Sequence, residues 1–232
     1  MIKRLHSDKI SLSRSYYGYK IRSVLKAYGT EYGFCRIYEN ERGGHILVFN
    51  GTLTADGEFD TEEILQFIGM ISPFTVEISR EIPIPIGYSA QERCLFKAPC
   101  GIICGEIGEI RKNDCIKECL PIIAEGFGAD GLDEWYVDIS HRVRHGVSDI
   151  YLYKTTTVTK AFDIDGFAFL SHIATAKHDR GQGNAGKLLK RLSSMLQSMG
   201  KDVYLYSKKE RVSFYDSLGF ERVCSEKIYE KI

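Results

Sequence analysis

The sequence has no apolar run approaching the ~18 residues that a membrane-spanning helix needs. It also has no excess of either charge, with 31 Lys and Arg against 31 Asp and Glu in 232 residues. Non-specific nucleic-acid binding depends on a surplus of cations, so this balance argues against a nucleic-acid partner. Residues 1–15 are basic and polar with no apolar stretch, which predicts no signal peptide. There is no exact repeat, no low-complexity tract and no Cys-x-x-Cys, and the last absence removes a dithiol redox motif. Seven cysteines, an odd number, fit a reducing compartment, and the expected location is cytoplasmic. Cys100, Cys104, Cys115 and Cys119 have the composition of a four-thiolate zinc site. Their pair spacing is wider than a zinc knuckle uses, and the second pair falls in a helical stretch. Buried or idle thiols are therefore expected, and no metal.

What is present describes a folded α/β protein. Hydrophobic residues make up 44% of the chain, with 14 Tyr and 12 Phe, enough for one large domain or two small ones. Residues 34–38 and 45–49 are β-rich runs joined by a turn, and Thr52-Leu53-Thr54 follows. Asp60-Thr61-Glu62-Glu63 opens a helix with Ile64, Leu65, Ile68 and Ile71 at helical spacing, and 74–78 is a strand. Residues 81–112, broken by Pro83, Pro85 and Pro99, read as irregular chain with short strands. A boundary near 112 is predicted there, giving regions 1–112 and 113–232. Beyond it come helices over 116–125 and 132–143, then strands over 149–154, 155–164 and 167–175. Asp165-Gly166 is a hairpin-turn signal. A glycine-rich turn leads into a long helix bearing Ala185, Leu188, Leu189, Leu192, Leu196 and Met199 on one face, with Gly200 as its C-terminal glycine. A strand at 203–206, a short helix at 210–218 and a strand or hairpin over 220–232 complete the chain. The expected architecture is α/β (α+β): a mixed, mostly antiparallel sheet of about six to seven strands flanked by helices, with a smaller N-terminal α+β region.

The glycine-rich turn carries the chemistry. In Arg180-Gly181-Gln182-Gly183-Asn184-Ala185-Gly186-Lys187, backbone N–H groups converge at a helix N-terminus, a geometry that favours an anion. Gly181-x-Gly183-x-x-Gly186 matches the dinucleotide fingerprint, but Asp202 lies at the start of the next strand, not its end, and too little chain follows. Gly181-x4-Gly186-Lys187 is one residue short of a P-loop, and Leu188 stands where magnesium needs Ser or Thr. The third match is Arg180-x-x-Gly183-x-Ala185, followed by Phe214-Tyr215-Asp216-Ser217-Leu218-Gly219-Phe220.

With these two motifs, in this order and at this separation, residues 113–232 resemble the GCN5-related N-acetyltransferase family. The resemblance implies acetyl-coenzyme A as co-substrate and an amine, small or peptidic, as acceptor. Residues 177–211 hold nine Lys and Arg against three acids, a basic rim suited to the coenzyme's phosphates. By the resemblance, Ile173, Ala174 and Thr175 pair with the pantetheine arm at a bulged, splayed strand. Arg180, Gly181, Gln182, Gly183, Asn184, Ala185 and Gly186 cradle the pyrophosphate, and Tyr215 donates a proton to the leaving thiolate. Lys177 stands where the family often has proline, and Lys208 where it often has an asparagine. The amine attacks the thioester directly, since no cysteine lies near the turn to carry the acetyl group.

The general base is left open. His172 lies next to the splayed region, but alternation puts it opposite Ile173, and Glu134, Asp138 and His141 share a helix face that solvation explains. Residues 33–78 repeat the family's element order without its glycine turn, with acids in 55–60 where phosphate would sit. They read as a degenerate second copy that forms a wall of the acceptor pocket, or as an unrelated α+β cap. Two functions remain open, an amine acetyltransferase and a non-catalytic acyl-coenzyme A binder.

Overall fold

A computed structural model describes residues 1–6, 10–30 and 32–232. The first elements are β1 (Lys3–Leu5), α1 (Tyr16–Tyr28), β2 (Cys35–Glu39), β3 (His45–Phe49), β4 (Thr52–Asp56), α2 (Thr61–Ile71), β5 (Thr75–Ile78) and β6 (Tyr88–Lys97). There follow β7 (Arg111–Lys112), α3 (Ile116–Phe127), α4 (Leu132–Arg144), β8 (Asp149–Tyr153), β9 (Thr156–Ile164) and β10 (Phe167–Thr175). The last are α5 (Asn184–Ser198), β11 (Asp202–Lys208), α6 (Val212–Ser217) and β12 (Glu221–Lys231). The chain divides into two compact units, Met1–Arg93 with Ser225–Ile232, and Cys94–Cys224. The division thus falls at residue 93, not near 112, and the first unit also takes in the C-terminal residues.

In the second unit the strand order is β6-β11-β10-β9-β8-β7, with β10 and β11 parallel and the pairs β10–β9, β9–β8 and β8–β7 antiparallel. Alternation sends Ala168, Leu170, Val203 and Leu205 to one face, where they pack with Leu188, Leu189, Leu192 and Leu196 of α5. The other face, with Ile150, Leu152, Ala174 and Ala176, packs on Cys115, Cys119, Ile122 and Ile123 of α3. The Asp165-Gly166 turn is as expected, both residues having positive φ (50° and 85°). Gly200 (φ 74°) closes α5: its N–H bonds to Gln197 O and that of Lys201 to Leu196 O, which is a Schellman cap.

In the first unit the order is β1-β2-β3-β4-β5-β12, with β4 and β5 parallel. β3 is buried on both faces: Ile46 and Val48 pack with Ile64, Phe67 and Ile68 of α2, and Leu47 and Phe49 with Ile21, Val24 and Leu25 of α1. Its element order and pairings β1-α1-β2-β3-β4-α2-β5 reproduce those of β7-α3-α4-β8-β9-β10-α5-β11, apart from one extra helix. The Asp60 side chain accepts from the N–H groups of Glu62 (3.0 Å) and Glu63 (3.2 Å) and caps α2. Asp60→Ala should therefore cost about 1 kcal/mol, measured by urea denaturation.

Strand β1, helix α1 and the length of β6 differ from the sequence expectation. Helix α1 was not foreseen, and it starts at Ser15, whose Oγ accepts from Gly18 N–H at 3.1 Å. β6 fills ten residues of the stretch expected to be irregular with short strands, and burial within it is confined to Tyr88 and to the consecutive Cys94, Leu95 and Phe96. The described residues hold twelve strands, where six to seven were expected. The second unit has six of them, and the rest come from the N-terminal region and the C-terminal strand. Among the described residues no helix is long and apolar enough to cross a membrane.

Candidate active site

The site begins where two parallel strands stop pairing. β10 and β11 are matched over 167–170 against 202–205, and each then runs on without the other. The separation coincides with a bulge: β10 loses register with β9 between Ser171 and Ala174, and His172 has φ 45°. The extra residue reverses the alternation. Leu170 faces α5, whereas Ala174, four positions on and of the same parity, faces α3. His172 then points to the α3/α4 side, its ring against Phe127 (5.4 Å) and Trp135 (5.5 Å), while Ile173 packs on the α5 side.

The same alternation sorts the three residues expected to meet the pantetheine arm. Ala176 N–H bonds to Thr155 O on the β9 side, so the backbone groups of Ala174 turn to β9 and those of Ile173 and Thr175 to the gap. The Thr175 carbonyl is already engaged by Arg180 Nε at 2.9 Å. Arg180 Nη2 also donates to Glu125 O at 3.0 Å, so this guanidinium fastens the turn to the end of α3. Gln182 Nε2 donates to Asp179 Oδ1 at 3.0 Å and Thr155 Oγ1 to Asp179 Oδ2 at 2.6 Å, the latter bond being the main reason the Asp179 carboxyl is held below its usual range. Lys177 N–H donates to Glu125 Oε2 at 2.6 Å, a bond that a proline at this place would forbid.

Helix α5 has no side-chain cap, and Gly183 stands at its N-cap with φ 74°. The N–H groups of Asn184, Ala185 and Gly186 therefore converge without partners among the described residues, the donor set an anion wants. Asn184 is only 3% exposed, and neither its Oδ1 nor its Nδ2 has a partner among the described residues. An orphaned buried amide costs ~1–3 kcal/mol until something polar meets it, so this end of the gap fits a polar ligand. Gly186 has a different role from its neighbours. A Cβ there would lie 2.8 Å from Leu218 Cδ2, so this glycine seats the helix on the Leu218-Gly219-Phe220 element, bringing the two sequence motifs into contact.

Tyr215, on α6, is 7% exposed and lies among Phe96 (5.4 Å), Phe214 (5.1 Å) and Phe220 (6.1 Å). Its hydroxyl has no hydrogen-bond partner among the described residues, and burial pushes it up to about 12. It is accordingly protonated throughout the neutral range. His172 is pushed down to about 4 by burial, against an opposing pull from Asp138, and its Nδ1 lies 3.0 Å from Ser171 Oγ. Among the α4 polar residues, Glu134 is exposed, Asp138 accepts from Arg142 Nε with both oxygens (2.9 and 3.0 Å), and the His141 ring stacks on His145 at 4.1 Å. The cysteines are dispersed: Cys115 and Cys119 are buried together, Cys104 lies by Arg191, and Cys100 is exposed. Among the described residues no cluster of His, Cys, Asp or Glu is arranged to hold a metal.

The corresponding place in the first unit is closed. β4 and β5 stay paired over 52–55 against 75–78, and Ser79 N–H continues the ladder to Ala55 O at 3.1 Å. Gly57 N–H donates to Ser79 Oγ (3.2 Å), Asp56 accepts from Ser13 and Ser15, and the start of α2 is taken by the Asp60 carboxylate. Among the described residues no gap and no open helix N-terminus remain there for an anion.

Comparison with known proteins agrees with this geometry. Residues 156–232 match the family model described as an acetyltransferase (GNAT) domain. No curated protein matches the chain. Among solved structures, a GCN5-related N-acetyltransferase-like protein from Streptococcus suis 89/1591 aligns at TM-score 0.59 and 12% identity, over 92% of this chain and 98% of that one. A GCN5-related N-acetyltransferase from Sphaerobacter thermophilus aligns at 0.58 and 14%, over 92% and 85% of the two chains. An acetyltransferase of the GNAT family from Colwellia psychrerythraea aligns at 0.56 and 15%, over 100% and 99%. Residues 156–232 thus match the GNAT acetyltransferase domain, and the chain as a whole has the mixed α/β fold of the solved GNAT acetyltransferases.

Proposed function

We propose that the chain transfers the acetyl group of acetyl-coenzyme A directly to an amine. The observation that carries this is the unpaired gap between β10 and β11 ending at an uncapped helix N-terminus. In this reading the N–H groups of 184–186 take the pyrophosphate, and the gap-facing backbone of Ile173 and Thr175 takes the pantetheine arm. The exposed Lys187 and Arg191 of α5 face the remaining phosphate charge. The amine nitrogen forms a bond to the thioester carbonyl carbon and gives up a proton. The C–S bond breaks, and Tyr215 protonates the departing thiolate. The protein contributes orientation, exclusion of water and the proton at that oxygen.

A non-catalytic acyl-coenzyme A binder would use the same gap, so binding alone does not separate the two functions. Release of free thiol with an amine panel does: turnover supports transfer, and tight binding with no turnover of any amine supports the binder. The closed gap of the first unit predicts one coenzyme per chain by calorimetry. A stoichiometry of two would overturn the assignment of the first unit as lacking a coenzyme site of its own.

A further inference from the structure

The bulge does more than open the gap. It turns His172 to the α3/α4 side, into contact with Phe127 at the end of α3 and Trp135 on the first turns of α4. Three rings from three elements therefore meet at the residue where β10 leaves β11. A non-glycine residue with φ 45° costs of order 1–3 kcal/mol, and such strain collects at functional sites. Phe127 is 56% exposed, a large apolar ring left open at the mouth of the gap.

The cup has no net charge. His172 is neutral, because burial disfavours its cation. The carboxylate that acts on it, Asp138, is held on both oxygens by Arg142 Nε, and Glu134 is exposed to solvent. A polyamine or a lysine ammonium seated among the rings would give up hydration for a carboxylate, Asp138, that Arg142 already holds, and would meet the exposed Asp133 and Glu134 only through solvent. An aryl or arylalkyl group gains instead, since aromatic pairs at these separations contribute ~0.5–1.5 kcal/mol beyond buried area. Further along the same face Phe169 lies 5.6 Å from Tyr206, so the aromatic lining continues between the two separating strands.

We infer that Phe127, Trp135 and His172 form the acceptor subsite, and that the acceptor is a small amine carried on an aromatic group. The inference rests on the acetyl-transfer reading above. The test measures thiol release from acetyl-coenzyme A with 2-phenylethylamine, spermidine and a lysine-containing peptide. Coenzyme binding is followed separately by calorimetry. The expected kcat/KM for phenylethylamine exceeds that of the other two at least about tenfold, the scale on which apolar pockets discriminate. Trp135→Ala should raise KM for phenylethylamine about tenfold, far more than it lowers kcat, with the Kd for acetyl-coenzyme A unchanged and Trp135→Phe restoring most of the loss. If Trp135→Ala does not fold, Phe127→Ser at the exposed ring should give the same KM effect in a smaller degree. Preference for spermidine or the peptide overturns the subsite, and so does acetyl-coenzyme A binding with no turnover of phenylethylamine. Failure to bind acetyl-coenzyme A, or binding with no turnover of any amine, would overturn both the subsite and the acetyl-transfer reading beneath it, whereas turnover that prefers spermidine or the peptide overturns the subsite alone.

Discussion

Tyr215→Phe should lower kcat at least about tenfold while the affinity for acetyl-coenzyme A holds, since general acid catalysis is worth ~10²–10⁴-fold. Expelling a thiolate near neutral pH is uphill, and the donor must keep its proton until the C–S bond breaks. Burial raises the Tyr215 hydroxyl to about 12, so it is protonated across the working range. The sign follows from this direction: activity requires the protonated form, so the alkaline limb of the wild-type pH–rate profile should lie above the ordinary tyrosine value of ~10. In the Phe variant that limb should vanish. The ring is retained, and its packing against Phe96 and Phe220 with it, so the melting temperature should change little. Wild-type turnover by Tyr215→Phe, with chemistry shown to limit the rate, would reduce Tyr215 to a core aromatic.

Gly183→Val should weaken acetyl-coenzyme A binding by about 100-fold or more, equivalent to ~2.7 kcal/mol. Two effects add. Gly183 has φ 74°, a conformation that a β-branched residue adopts only under strain. A Cβ at this position meets nothing within 4 Å beyond its chain neighbours, so the fold should survive, while the added bulk stands next to the N–H groups of 184–186 where the anion is to sit. Gly200 provides the control. It has the same φ, 74°, and equally open space at the other end of the same helix, so Gly200→Val bears a comparable backbone strain away from the site. Calorimetry and thermal melts of both variants separate strain from occlusion. Unchanged affinity in a folded Gly183→Val would remove the anion site from 183–186.

The motif segment was legible because its constraints are local. A helix with Leu188, Leu189, Leu192 and Leu196 on one face, a positive-φ glycine at its start and another after its end are written in short spacings, and the structure has them where the sequence puts them. The same holds for the Asp60 cap and for the acids that occupy the first unit's helix start. Helix α1 was less legible, for its buried face is made of Tyr16, Tyr17, Tyr19, Ile21, Val24 and Leu25, not a clean leucine stripe. β6 was hidden among prolines, and half of it is too exposed to alternate. In the polar turn Arg180 and Gln182, expected as pyrophosphate contacts, also bond within the protein, Arg180 to the Thr175 and Glu125 carbonyls and Gln182 to Asp179, which pattern alone did not indicate.

By itself the sequence determined the order of elements from β2 to β5 and from α3 onward, and the turn that presents backbone donors. These depend on residues within a few positions of one another, where φ preference, capping and periodicity act. Only the tertiary structure decided which side of the strand His172 faces, because one extra residue in β10 reverses every alternation beyond it and pattern alone does not locate the slip. It likewise decided that Gly186 is small for the sake of Leu218, 32 positions away in sequence. It decided too that β4 and β5 stay zipped in the first unit while β10 and β11 part in the second. Strand pairing is a contest between distant segments for the same hydrogen bonds, and its outcome is settled by what packs on either face once the chain has folded.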